Sequence, residues 1–156
     1  MPDFWEVLEK RHCTREFDSE KEVDEKKIER IIEAAKMAPS AGNMRDWHFE
    51  VIRESEKKLK VAQAALGQMF ITEAPVVIVV CSDLKIAKEH YGERGVNLYA
   101  IEDVAAATEN MFLAAVALGL SASWVGAFDE REVRKILELP EHIRPLVIMP
   151  LGYAKG

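Results

Sequence analysis

The chain has 156 residues, with 27 Asp and Glu against 21 Lys and Arg, for a net charge of −6. That length predicts one domain, and the balance of apolar and charged residues is that of a folded domain rather than a disordered segment. An acidic surface repels phosphate backbones, which argues against nucleic acid as the main partner, and no apolar run approaches the ~18 residues that span a bilayer.

The two cysteines, Cys13 and Cys81, form no C-x-x-C pair and sit in no His cluster, so zinc and disulfide frameworks are poorly supported. Reduced thiols in a cytoplasmic protein are the simplest expectation, and the N-terminus shows no basic stretch followed by an apolar one of the secretory kind.

Phe4 to Lys10 reads as a short helix with Phe4, Val7 and Leu8 on one face. A cationic segment, Arg11-His12-Cys13-Thr14-Arg15-Glu16-Phe17, leaves it. Asp24 is placed to cap a helix from about Glu25 to Met37, whose Ile28, Ile31, Ile32 and Ala35 follow helical spacing. Pro39 and Gly42 end it in a loop, Pro39-Ser40-Ala41-Gly42-Asn43.

Trp47 to Arg53 alternates as a strand, and Ser55 is the expected cap of a helix to about Leu66. Pro75 to Cys81 reads as a strand buried on both faces, and Asp83 to Glu89 as a short helix. The longest helix runs from about Ile101 to Leu118 and ends at Gly119. It is rich in alanine, which fits either a central core helix or a dimer-forming helix that another helix approaches closely. Ser121 to Val125 reads as a strand, Asp129-x-x-Glu132 as a capping box before a helix to about Glu138, and Leu146 to Leu151 as the last strand. Helices and strands mix without regular alternation, which favours α+β.

Several chemistries lack their motifs. There is no G-x-G-x-x-G after a strand, no phosphate-binding Gly-Lys-Ser/Thr, no His-Glu-x-x-His and no nucleophile elbow. His12, His48, His90 and His142 are scattered, so no metal site is expected.

Three segments remain. Arg11, His12 and Arg15 put three potential cations within five residues, which is either a solvated turn or an anion site built on arginine forks. The Ser40-Ala41-Gly42-Asn43 loop offers hydroxyl and amide donors on small residues, or simply terminates a helix. Trp124-Val125-Gly126-Ala127-Phe128-Asp129 takes a strand into a capped helix through two small residues, whose backbone N–H groups suit a flat ring laid against the chain. The alternative is a tight junction.

Together, in order, these segments resemble the nitroreductase family of flavoproteins. Arg11 to Phe17 is similar to the family's N-terminal Arg-x-Ser-x-Arg/Lys-x-Phe pattern, and Pro39 to Trp47 to its Pro-Ser-x-x-Asn-x-Gln-Pro-Trp pattern. Tyr91-Gly92-Glu93-Arg94-Gly95, the helix from Asp103 to Gly119, the Gly119 to Asp129 stretch and Pro150-Leu151-Gly152-Tyr153 also look like family features.

The resemblance implies one α+β domain over residues 1–156, with a mainly antiparallel sheet between helices. It further implies a homodimer with a helical interface and flavin mononucleotide (FMN) bound between subunits. Arg11, His12, Cys13 and Arg15 would line the phosphate, ribityl chain and pyrimidine edge. Pro39, Ser40, Ala41 and Asn43 would reach the ring from the partner. Val125, Gly126 and Ala127 would lie against the ring, with the Gly126 N–H at flavin N5, and Gln68 is a further polar contact. NADH or NADPH would supply hydride to N5, and a nitro compound, quinone or similar electrophile would take it in ping-pong order, with no side chain acting as acid or base.

This chain departs from the pattern in places. Cys13 stands at the usual serine, a weaker donor, and Arg45-Asp46 replaces Gln-Pro. The family's tail beyond Gly-Tyr often brings a cation to the phosphate; here Lys155 is the expected stand-in. Two other expectations stay open: a protein of the same fold that binds or processes flavin without nicotinamide turnover, and a dimeric scaffold without cofactor.

Overall fold

The computed structural model describes residues 1–156. In chain order the elements are α1 (Phe4–Lys10), α2 (Glu25–Lys36), β1 (Trp47–Ile52), α3 (Ser55–Ala64), α4 (Phe70–Glu73), β2 (Val76–Asp83), α5 (Leu84–Arg94), α6 (Ala100–Ala117), β3 (Ser121–Ala122), α7 (Glu130–Ile136) and β4 (Ile143–Gly152). The strands form one antiparallel sheet in the order β1-β2-β4-β3, so the chain is α+β as expected.

The sheet divides the interior in two. Along β2, Val76, Ile78 and Val80 face a core shared with α2 and α6, while Val77, Val79 and Cys81 face a second core with α3, α4 and α7. Successive strand side chains point to opposite faces, so a strand covered on both sides must be apolar throughout. This is why the run Val76-Val77-Ile78-Val79-Val80-Cys81 carries no alternation. α6 lies against the sheet through Val104, Ala107, Met111, Phe112 and Ala115, and packs against α2.

Most element ends follow expected local chemistry. Asp24 accepts from the Lys26 N–H at 2.9 Å and starts α2. Gly119 adopts φ +77°, and the Leu120 N–H returns to the Ala115 carbonyl at 2.8 Å, closing α6 with the two reversed bonds of a Schellman turn.

The differences from the sequence reading have local causes. α3 begins at Ser55, but Glu54 holds the cap position and gives no side-chain cap bond. Asp129 caps α7 from Arg131 and Glu132, yet the reciprocal bond of a capping box is not made: the Asp129 N–H instead donates to the Ala64 carbonyl at 2.9 Å, fastening α7 to the end of α3. α5 outruns its expected end at Glu89, passes a kink at Gly92 and continues into a π-helical turn, Gly95–Tyr99, that feeds α6. The strand expected over Ser121 to Val125 pairs only through Ser121 and Ala122, and Val125 rejoins β4 by a single bridge to Ile148. β4 starts three residues early, at Ile143: Pro145 lies opposite Cys81, where a register shift between Val80 and Cys81 accommodates it.

Candidate active site

Beyond α1 the chain extends beside β3. The Thr14 N–H donates to the Ala122 carbonyl at 2.8 Å, and Cys13 pairs with Ala122 in parallel sense. That direction carries Arg15 along Ser123–Val125. Phe17, only 2% exposed, anchors the segment in the core and bridges Ala154. The Lys155 N–H donates to the Glu16 carbonyl at 3.1 Å, which brings Lys155 next to the cationic segment.

The candidate cations differ in their freedom. His12 is tied to its own turn, with Nδ1–H donating to the Lys10 carbonyl at 2.8 Å and Nε2 3.4 Å from the Thr14 hydroxyl. Arg11 holds its guanidinium 5.8 Å from the Phe112 ring centroid and Nε 4.0 Å from Glu109. Arg15 is exposed and makes no ion pair in the chain. Cys13 is half-buried and packs against the α2–α6 core.

The Trp124–Phe128 segment forms the adjoining wall. Trp124 stacks on Phe112 at 6.1 Å and 19°. Val125 spends both backbone groups on Ile148, at 2.9 and 3.0 Å, whereas the N–H groups of Gly126 and Ala127 donate to no backbone acceptor in the chain. Gly126 is exposed, and a Cβ built there meets only the Trp124 indole nitrogen at 3.9 Å. Gln68 donates from its amide to Ala65 O at 2.9 Å and Ala127 O at 3.3 Å, so it ties the wall to the end of α3.

This donor set fits FMN. Free backbone N–H groups on an uncovered glycine face suit a flat heterocycle edge, and Arg11, Arg15 and Lys155 suit a phosphate. Lys155 is the residue nearest to the role expected of a tail cation.

The Pro39–Asn43 loop lies at the other end of α6. It folds as one 3₁₀ turn, with the Ala41 N–H on Asp103 Oδ1 at 3.0 Å and the Arg45 N–H on the Ser40 hydroxyl at 3.0 Å. Gly42, at φ +54°, packs directly on the Tyr91 phenol. Nine residues of α6 separate Asp103 from Phe112, about 13 Å of helix. One chain therefore brings together Arg11 to Arg15, Gln68 and Val125 to Ala127, and leaves Pro39, Ser40, Ala41 and Asn43 apart from them.

Beneath that loop is a feature the sequence reading missed. Asp46 and Asp103 are both buried, and the Asp103 carboxyl is pushed up to about 7, first by burial and then by Asp46 as a hydrogen-bonding neighbour. The available signal was an acid at the centre of the apolar face of α6, in register with Ala100, Ala107 and Met111. A surface cavity of about 790 Å³ between α3 and α7 is lined by none of these groups but by charges of both signs, among them Glu54, Lys57, Lys60, Glu132 and Lys135.

An antiparallel sheet covered by helices, with a cationic, donor-rich rim at one end of its central helix, defines an α+β protein built to hold an anionic planar ligand. The chain belongs to the Nitroreductase family, whose profile matches residues 8–73 and 65–153. An Archaeoglobus fulgidus protein provisionally named NADH dehydrogenase/NAD(P)H nitroreductase is 39% identical over 142 residues, 88% of this chain and 78% of that one. An FMN reductase [NAD(P)H] of Bacillus subtilis is 31% identical over 145 residues, 84% of this chain and 58% of that one. The solved structure of a nitroreductase family protein from Clostridium novyi NT aligns with a TM-score of 0.89 at 28% identity, covering 99% of this chain and 86% of that one.

Proposed function

We propose that the chain is an FMN-dependent oxidoreductase that carries hydride from NADH or NADPH to small electrophiles such as nitro compounds and quinones. Family membership supports the NAD(P)H and FMN chemistry. The observation that carries it onto this chain is the wall at Gly126 and Ala127, two unpaired backbone donors on an open face beside the free cation Arg15. FMN supplies the redox chemistry, with hydride entering and leaving at N5.

The residues bind and tune. Arg11, Arg15 and Lys155 hold the phosphate and the side of the ring where reduction adds negative charge. The Gly126 N–H would be the donor to flavin N5, and Gln68 keeps that wall in place through Ala127. His12 shapes the turn. One pocket serves donor and acceptor in turn, which gives ping-pong kinetics.

The pocket is completed in a homodimer, with Pro39, Ser40, Ala41 and Asn43 coming from the second copy. Two observations support this. The loop is anchored at Asp103, about 13 Å along α6 from Phe112 and its own chain's cationic rim. Toward the C-terminal end of α6, Phe4, Trp5 and Met37 are 61%, 71% and 78% exposed, and Phe4 and Met37 line an apolar cleft with Leu113, Ala114 and Ala117. Large apolar side chains clustered in solvent mark an interface. The two free cysteines fit a cytoplasmic protein.

The test is an absorption spectrum of the purified protein before and after NADH or NADPH. The expected result is a yellow protein that nicotinamide bleaches. A colourless protein that takes up no added FMN overturns the reading.

A further inference from the structure

Asp46 and Asp103 are 0% and 5% exposed. Each has one satisfied carboxyl oxygen and one orphan. Asp46 Oδ2 accepts the Ser82 hydroxyl at 2.6 Å, and Asp103 Oδ1 accepts the Ala41 N–H at 3.0 Å. Asp46 Oδ1 and Asp103 Oδ2 are both buried and neither has a hydrogen-bond partner. After burial, Asp46 as a hydrogen-bonding neighbour is what raises the Asp103 carboxyl. Ionised carboxylates only accept, so a bond between them requires a proton. A single proton satisfies both orphans at once, whereas its loss leaves two buried anions facing each other.

No cation offsets that charge. The charges acting on Asp103 are Asp46 and Glu102, and both favour its protonated form. Arg45 extends over the Trp47 ring at 5.4 Å. Lys36 and His48 line the recess beyond that indole, and His48 bonds Glu50 at 3.0 Å. Asp83, whose N–H holds the Asp46 carbonyl, uses its carboxylate to cap α5. From α5 the loop is met by the Tyr91 phenol, and Arg94 is bonded to Tyr99.

The pair grips both ends of the Ser40–Arg45 loop. Asp103 holds Ala41, and Asp46 follows directly on Arg45. Between them Gly42, Asn43 and Arg45 all adopt left-handed φ, at 54°, 56° and 51°. For the two non-glycine residues that conformation is costly and persists only when the surroundings impose it.

We propose that Asp46 and Asp103 share one proton, and that the protonated pair is the latch holding this loop in its flavin-facing shape; the flavin part of this role rests on the function proposed above. Both are positioning residues, since neither touches the cofactor. Their direct consequence is an affinity for FMN that falls with pH. Asp103 is raised from 3.8 to about 7, so the folded chain holds a proton that the unfolded chain releases. The stability it confers is complete below about pH 4 and is lost as pH rises through about 7.

The test uses Asp46→Asn and Asp103→Asn, each of which places an amide N–H where the shared proton lies. Thermal melts of flavin-free protein are taken between about pH 5 and pH 8.5, and FMN affinity is measured over the same window by fluorescence quenching. In the wild type the melting temperature falls across the window and affinity drops several-fold; both Asn variants keep flat melting profiles and the low-pH affinity. The FMN phosphate titrates identically in all three proteins, so the comparison removes it. A flat wild-type profile, or the same fall in both variants, overturns the shared proton. Melting that follows the pair while affinity does not overturns the positioning role. Failure to bind FMN at any pH counts instead against the proposed function, and the melts still decide the proton.

Discussion

Replacing Arg11 with alanine separates the binding role of the cationic segment from its structural role. In the flavin-free chain the guanidinium makes a 4.0 Å ion pair with Glu109 and lies 5.8 Å from the Phe112 centroid, with its side chain 36% exposed. An exposed pair contributes about 0–1 kcal/mol, and an exposed cation–π contact about 0.5–1 kcal/mol. The fold should therefore lose about 1 kcal/mol, a fall in melting temperature of roughly 2–4 °C for a chain of this size. With FMN bound, the same group makes charged hydrogen bonds to phosphate worth about 1.5–3 kcal/mol. That corresponds to a Kd weakened about 10- to 150-fold. Fluorescence-quenching titrations at two salt concentrations, beside melts of the flavin-free protein, read both quantities. The companion variant Glu109→Gln removes the competing carboxylate and should leave FMN affinity unchanged or tighter. A Kd for Arg11→Ala within about twofold of the wild type, or a Glu109→Gln protein that binds FMN more weakly, refutes the phosphate role.

Two further outcomes follow from the same wall and core. Gly126→Ala keeps the backbone N–H and meets nothing closer than 3.9 Å in the free protein, so its melting temperature should match the wild type. The added methyl occupies the face where the ring would lie and should cost about 1–3 kcal/mol of FMN affinity, and equal affinity would remove the flavin from that face. The Cys81 thiol is pushed up to about 12 by burial, reinforced by the Glu50 charge and opposed by Arg134. Only the thiolate reacts, so at about pH 8 a thiol reagent should modify Cys13 alone, and Cys81 only after denaturation. Two thiols reacting at equal rates in the native protein would contradict that burial.

The parts of the fold legible in the sequence are those where one local signal dominates. α1 and α2 show amphipathic spacing, and Asp24 caps α2 where expected. The unbroken apolar run of β2 announces a strand covered on both faces, and Gly119 marks the end of α6 because its positive φ is open to glycine. What escaped the reading was decided by partners distant in sequence. The first residues of β4 are strand only because Cys81 to Asp83 of β2 accept them past a register shift. Ser55 fails as a cap because the chain turns one residue earlier, and the box at Asp129 opens because Ala64 offers its backbone N–H a better-placed carbonyl.

The site divides along the same line. Arg11, Arg15, Gly126 and Ala127 stand out as candidates in the sequence because charge and small size are properties of single residues. The mutual placement of the segments was not, since it depends on α6 acting as a spacer. Arg45-Asp46 is the sharpest instance. In sequence it reads as a charge pair entering a region near the flavin. The structure separates the two: Arg45 leaves over Trp47, and Asp46 goes inward to Ser82 and Asp103. The departure from the family pattern therefore puts a second buried carboxylate beside Asp103, whose own carboxyl is pushed up to about 7 by burial and by that neighbour.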